Sequence, residues 1–343
     1  MQISEIVENW DKYLDGFERH QKTIYFSEKY IKSHAISEHT PLCYVYIKNE
    51  DKFIFPLLKK AISNTSFFDF ETVYGYGGCL ATTDAQEFIS EAYESFLYEL
   101  KKESIIAGFV RFDPTLQNQK YLENQCQIIF NRKTIIVSLR DSVDEIWKNQ
   151  INKKSRNVIR KAIKNELTVE ISQDKKELLI FKELYEKTMK RLSADDYFFF
   201  NTDYYENFYK LFKEESYVAS VKKNDKTIAS CIFLKDEDTA HYHLSGSDPE
   251  YLKLYPNNLM IWEIIKFAKT KFCAKLHLGG GNSLSESDSL LKFKKNFSKD
   301  ELDFFIGKIL VNKPIYEEIC ATWREKNPDK VERYGHLVLP YRF

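Results

Sequence analysis

The chain has 343 residues, 43 % of them hydrophobic and 30 % charged, which argues against disorder and fits about two domains of ordinary size. Its 51 basic residues match its 51 acidic ones, so overall charge gives no hold on nucleic acid and a general DNA binder is disfavoured. The six cysteines are widely separated, leaving neither a CxxC metal knuckle nor a disulfide framework.

The opening MQISEIVENWDKYLDGFERH shows no basic leader before an apolar run, and no uncharged stretch approaches the ~20 residues of a membrane span. A cytoplasmic protein is expected, with at most peripheral membrane contact. Further along, LCYVYIK, KFIFPLLK and TVYGYGGCLA are predicted strands, the first two joined by the turn NED. The helix-patterned AQEFISEAYESFLYELKK and the strand-like IIAGFVRF follow.

At residues 151–170 the string INKKSRNVIRKAIKNELTVE predicts a basic helix and then a strand. Lys153, Lys154, Arg156, Arg160, Lys161 and Lys164 share one broad face, opposite Ile151, Val158, Ile159, Ala162 and Ile163. Such a patch suits a phosphate-rich partner, a tRNA acceptor stem or a nucleotide diphosphate, and equally a plain solvated face. Helical spacing then aligns Leu184, Thr188 and Arg191, with Arg191 at a helix end before SADD, where it also suits the helix dipole. Of the aromatic run that follows, Tyr197 is the candidate for lining a cleft.

Tyr217 to Ser245 read as a three-strand meander with turns at KKND and KDED. A helix is expected over NNLMIWEIIKFAKTKF, with its asparagines at the N-cap and apolar residues at 261, 264, 265 and 268, and a strand over KLHLGGG. The order strand, strand, strand, helix, strand thus occurs twice. Two copies of one mixed αβ unit explain it, over 1–149 and 150–343; a coincidence of short strands is the alternative. The C-terminal segment from Gly307 onward predicts a helix and a closing strand in the second domain.

Gly279, Gly280 and Gly281 end the strand that follows the main helix, where ligands gather in αβ sheets. A phosphate loop is excluded, because the GxxxxGK spacing is missing; a simple permissive turn is the other reading. His241 and His243, two apart on one strand, share a face, but no third ligand supports a metal. His243 or Asp248 is the candidate proton acceptor.

The strand and helix order, with three local strings, resembles the FemABX family of aminoacyl transferases, built from two tandem acetyltransferase-like (GNAT) domains. The strings are the basic helix at 151–170, LSGSDPEYLKLYPNNLMIWEIIKFAK at 244–269, and LHLGGGNSLSESDSLLKFKKNF at 276–297. The resemblance implies an α/β (α+β) fold of two mixed sheets flanked by helices, with a cleft between the domains lined by Lys32, Arg191, Tyr242 and Lys294. It implies that Arg191 meets the diphosphate of a UDP-linked precursor, and that Phe293 and Lys294 lie near the acyl donor's ribose and carbonyl. The neighbouring Lys292 and Lys295 leave that lysine assignment ambiguous.

The implied activity is N-acyl or aminoacyl transfer to an amine of a nucleotide- or lipid-linked cell-envelope precursor, without a tightly bound cofactor. The donor would be an aminoacyl-tRNA. An acyl-CoA enzyme acting on an amino sugar is the alternative, and a non-catalytic precursor- or partner-binding protein the second. Acyl-CoA enzymes of the GNAT group hold the pyrophosphate with a glycine-rich loop ahead of the main helix. The equivalent DPEYLKLYPNNLMIW has no glycine.

Overall fold

The computed structural model describes residues 2–35, 38–195, 198–285 and 287–343. The chain divides into two compact units, residues 1–131 with 303–343, and residues 132–302. This differs from the boundary expected near residue 150, and the C-terminal segment returns to the first unit instead of closing the second.

In chain order the first unit contains β1 (Gln2–Val7), α1 (Glu28–Ser33), β2 (His39–Lys48), β3 (Asp51–Ala61), β4 (Phe68–Glu71), β5 (Leu80–Ala81), α2 (Gln86–Lys102) and β6 (Ile105–Arg111). β7 (Gln127–Ser138) leads into the second unit. There follow α3 (Val143–Glu145), α4 (Lys153–Lys164), β8 (Thr168–Ser172), α5 (Lys175–Arg191), α6 (Thr202–Leu211), β9 (Ser216–Lys223), β10 (Lys226–Lys235), β11 (Thr239–Ser247), α7 (Pro256–Thr270), β12 (Lys275–Gly280) and α8 (Ser289–Lys295). β13 (Glu301–Leu310) brings the chain back to the first unit, which ends with α9 (Lys313–Lys326) and α10 (Val331–Tyr334).

The first unit orders its strands β1-β2-β3-β4-β6-β13, and the second β7-β12-β11-β10-β9-β8. In each, a long helix joins two parallel strands: α2 between β4 and β6, and α7 between β11 and β12. The helices form where apolar residues recur at three- and four-residue spacing. Phe88, Ile89, Ala92, Tyr93, Phe96 and Leu100 are buried along α2, and Ile261, Ile264, Ile265 and Ala268 along α7. Each unit has its own core: Tyr44, Phe55, Phe70 and Phe96 pack in the first, Phe233, Met260, Ile264 and Leu276 in the second.

Two local expectations fail for physical reasons. TVYGYGGCLA forms strand only at Leu80–Ala81; Gly75 and Gly78 take left-handed φ of 97° and 96°, which ends regular extension. The main helix of the second unit is not capped by the asparagines, because Tyr255 occupies the cap and Pro256 the first helical position. Among the described residues, no helix is long and apolar enough to cross a membrane.

Candidate active site

β11 and β12 pair in parallel over only three positions, Thr239 with Lys275, Ala240 with Leu276 and His241 with His277. Both strands continue beyond that point, β11 to Ser247 and β12 to Gly280, but with different partners. β11 stays on β10, with a register shift that places Ile232 opposite Leu244 and Phe233 opposite Tyr242. β12 stays on β7, with Gly279 opposite Ile135 and Gly280 opposite Thr134. Two neighbouring strands therefore part, and main-chain groups along the gap are left for something other than a strand partner.

At this opening stands Lys294. Its helix α8 starts at the cap Asp288, whose side chain accepts the Leu291 amide at 2.8 Å. Leu291 and Lys294 are the buried residues of α8, so Lys294 is only 7 % exposed. Its Nζ donates to the Gly280 carbonyl at 2.7 Å and lies 6.0 Å from the centre of the Tyr242 ring. Burial lowers the Lys294 amine to about 7, against the pull of the Asp288 carboxylate toward the charged form. Near neutral pH this amine exists in both states, a useful property for a group that steadies a developing negative charge. Lys292 is exposed and Lys295 pairs with Glu301 at 2.6 Å, so burial separates the three lysines that sequence left equivalent.

The three glycines serve close packing. Gly279 has a φ of 72°, and a Cβ on Gly280 would lie 2.8 Å from the Lys133 carbonyl. A Cβ on Gly281 would lie 2.5 Å from Asp288 Oδ1. Arg132 Nη1 donates to the Gly281 carbonyl at 2.6 Å. The glycines thus bring a carbonyl to Lys294, and the structure shows packing as their immediate role.

Residues 149–295 match the family model for an acetyltransferase (GNAT) domain. In fold, this stretch is a GNAT-like domain. No curated protein matches the chain by sequence. Among solved structures, the crystal structure of FemX superposes with a TM-score of 0.69 at 16 % identity, over 93 % of this chain and 99 % of that one. A tandem GNAT protein from the clavulanic acid biosynthesis pathway gives 0.52 at 8 % identity, over 90 % and 98 %. L-PGS from Bacillus licheniformis gives 0.51 at 12 %, over 76 % and 81 %. The fold is therefore that of FemX and of tandem GNAT proteins, as the sequence resemblance implied.

The other expected site residues divide in two. Tyr242 packs beside Lys294 against the second unit's core, and burial pushes its hydroxyl well above the ordinary range, so it stays neutral. Phe293 lies half-buried in the same region, 5.5 Å from Phe297. Arg191 is the exposed last residue of α5. Tyr197 lies outside the described residues.

His243 sits instead against α6, its Nε2 3.1 Å from the Tyr204 hydroxyl and its ring stacked on Phe208 at 5.9 Å. It does not share surroundings with His241, whose Nε2 is held by buried Asp236 at 2.8 Å. Asp248 caps the turn Pro249–Leu254 and pairs with Lys226 at 3.1 Å. Burial works to raise its carboxyl, but the Lys226 bond and the Glu250 amide outweigh it and hold it below the ordinary range, which makes it a poor base. Lys32 belongs to the first unit, where it binds Glu28 at 2.8 Å and Asn9 at 3.0 Å.

On the basic helix α4, Lys153, Lys154, Lys161 and Lys164 are exposed and make no ion pair among the described residues. Arg156 is not part of that surface: its Nη1 donates to the carbonyls of Trp147, Lys148 and Ile151, closing the preceding turn. Arg160 lies over the Trp147 ring at 5.3 Å. Ile163, expected on the apolar face, is 54 % exposed. Sequence reasoning missed Arg132 and Asp288, which surround Lys294 or its loop but lie far along the chain or inside a polar run.

Proposed function

We propose that this protein transfers an acyl or aminoacyl group to an amine of a nucleotide- or lipid-linked cell-envelope precursor, without a covalent enzyme intermediate. The observation that carries this reading is the buried Lys294 beside the parted strands β11 and β12. The acceptor nitrogen attacks the donor carbonyl carbon, and the electron pair moves to the carbonyl oxygen. Collapse of the tetrahedral oxyanion expels the donor's leaving oxygen or sulfur, which ends with the proton lost by the amine. Main-chain groups along the opening and the Lys294 ammonium supply the stabilisation. Tyr242 and Phe293 shape that region, and Arg191 holds the phosphates of the acceptor.

An aminoacyl-tRNA is the favoured donor, used as a co-substrate. The glycine-free segment before α7 and the four exposed lysines of α4 support it over acyl-CoA. The fold shared with FemX supports the FemABX-type resemblance, and it is that resemblance which points to a cell-envelope precursor. The free state of all six cysteines fits a reducing, cytoplasmic setting.

The test is calorimetric titration with CoA and acetyl-CoA, followed by transfer assays with charged tRNAs and UDP-linked acceptors. No CoA binding together with tRNA-dependent transfer is the expected result. Micromolar CoA binding makes this an acyl-CoA enzyme. Acceptor binding with no turnover from any donor makes it a binding protein.

A further inference from the structure

Asp288 is the point where the glycine loop and the lysine-bearing helix are tied together. Its Oδ1 accepts the Leu291 amide in the first turn of α8 at 2.8 Å. Its Oδ2 accepts the amides of Asn282 and Ser283 at 3.0 and 3.1 Å, and the Ser283 hydroxyl at 3.1 Å. The loop rests so closely on this carboxylate that a Cβ at Gly281 would lie 2.5 Å from Oδ1. Two successive loop carbonyls are then held by two cations, Gly280 by Lys294 and Gly281 by Arg132. One carboxylate and two cations thus tie the end of β12 and residues 281–283 to the start of α8.

We infer that Asp288 is a positioning residue, which fixes where the Lys294 amine stands relative to the parted strands. The inference rests on the reading of Lys294 as the cation that acts in transfer. Around Lys294 stand Asp288 ahead of α8, Arg132 from β7, Cys231 from β10, Tyr242 from β11 and His277 from β12. Burial pushes the Cys231 thiol and the Tyr242 hydroxyl up, and the His277 imidazole down, so all three stay neutral. Asp288 and Arg132 are the charged members, acting in opposite senses on the amine. Removing the Asp288 charge therefore favours the neutral amine.

The experiment compares Asp288→Asn with the unaltered protein, both carrying 13C-labelled lysine, with the Lys294 signal assigned through Lys294→Arg. Asparagine keeps a capping oxygen for α8 and removes the charge. The expected result is a Lys294 titration midpoint at lower pH, with kcat down about tenfold, KM little changed, and the alkaline loss of activity moved to lower pH. A merely structural capping role would lower the melting temperature and leave the midpoint where it was, and that result overturns the inference. A shifted midpoint with unchanged kcat upholds the positioning role and removes Lys294 from catalysis, so the two failures are distinguishable. Should Asp288→Asn not fold, Gly281→Ala displaces the carboxylate without deleting its charge. A Lys294 midpoint unmoved in that variant overturns the inference, and one moved to lower pH supports it.

Discussion

The two units build the same local arrangement, two parallel strands joined through a long helix, and finish it differently. In the first unit the β4 and β6 pair is sealed past the strand ends. Thr72 N donates to the Phe109 carbonyl at 3.1 Å, Arg111 N to Thr72 Oγ1 at 2.8 Å, and Gly77 N to the Arg111 carbonyl at 2.7 Å. The Arg111 guanidinium lies 3.4 Å from Glu71, and Arg342 binds Asp69 on the same strand. In the second unit the β11 and β12 pair stops at His241 and His277, and Tyr242 and Lys294 stand where the strands part. Shared topology therefore does not make a site. What sets the candidate site apart is main chain left open next to a buried, titratable group.

The largest effect is expected on the sealed side. Arg342→Ala strips the guanidinium from Asp69, which is fully buried, and should lower unfolding stability by roughly 3–5 kcal/mol. Denaturant unfolding measures this, and a loss within error would show that the first pair does not depend on its C-terminal clamp. On the open side, Lys294→Ala should lower kcat by about a hundredfold with little change in KM. In the unaltered protein the transfer rate should fall as pH rises through about 7, because burial releases the Lys294 proton there and not in the ordinary lysine range. A rate that holds steady across that window would count against a cationic role.

Smaller effects sharpen the contrast. Thr72→Val deletes the oxygen that accepts the Arg111 amide and should cost about 1–2 kcal/mol, with faster amide exchange at Arg111 and unchanged transfer. If transfer fell as well, the two pairs would be coupled. Arg191→Ala should raise the acceptor KM about tenfold and leave kcat alone. An unchanged KM would remove Arg191 from the acceptor's phosphates.

Much of the fold was legible because its signals are local. Alternating apolar residues marked β2, β3 and β9 to β11, and the turn at Asn224 and Asp225 takes the left-handed angles, 48° and 62°, that a tight hairpin requires. The three- and four-residue spacing marked α2, α4, α5 and α7. Legibility stopped where a residue's role depends on partners far along the chain. Arg156 looked like one more exposed cation, yet it closes the turn before its helix. Asp248 looked like a base, yet Lys226, across the hairpin, holds it as a cap.

The sequence by itself determined the repeated strand and helix order, the FemABX-type resemblance and the short list of residues around 276–297, since these rest on periodicity and local spacing. Only the tertiary structure decided that residues 303–343 belong with the first unit, that one strand pair is sealed and the other open, and that Lys294 is the buried one of the three lysines. The reason is desolvation: three lysines in KFKK differ by a single turn of helix, and only packing against β11 and β12 withdraws one of them from water.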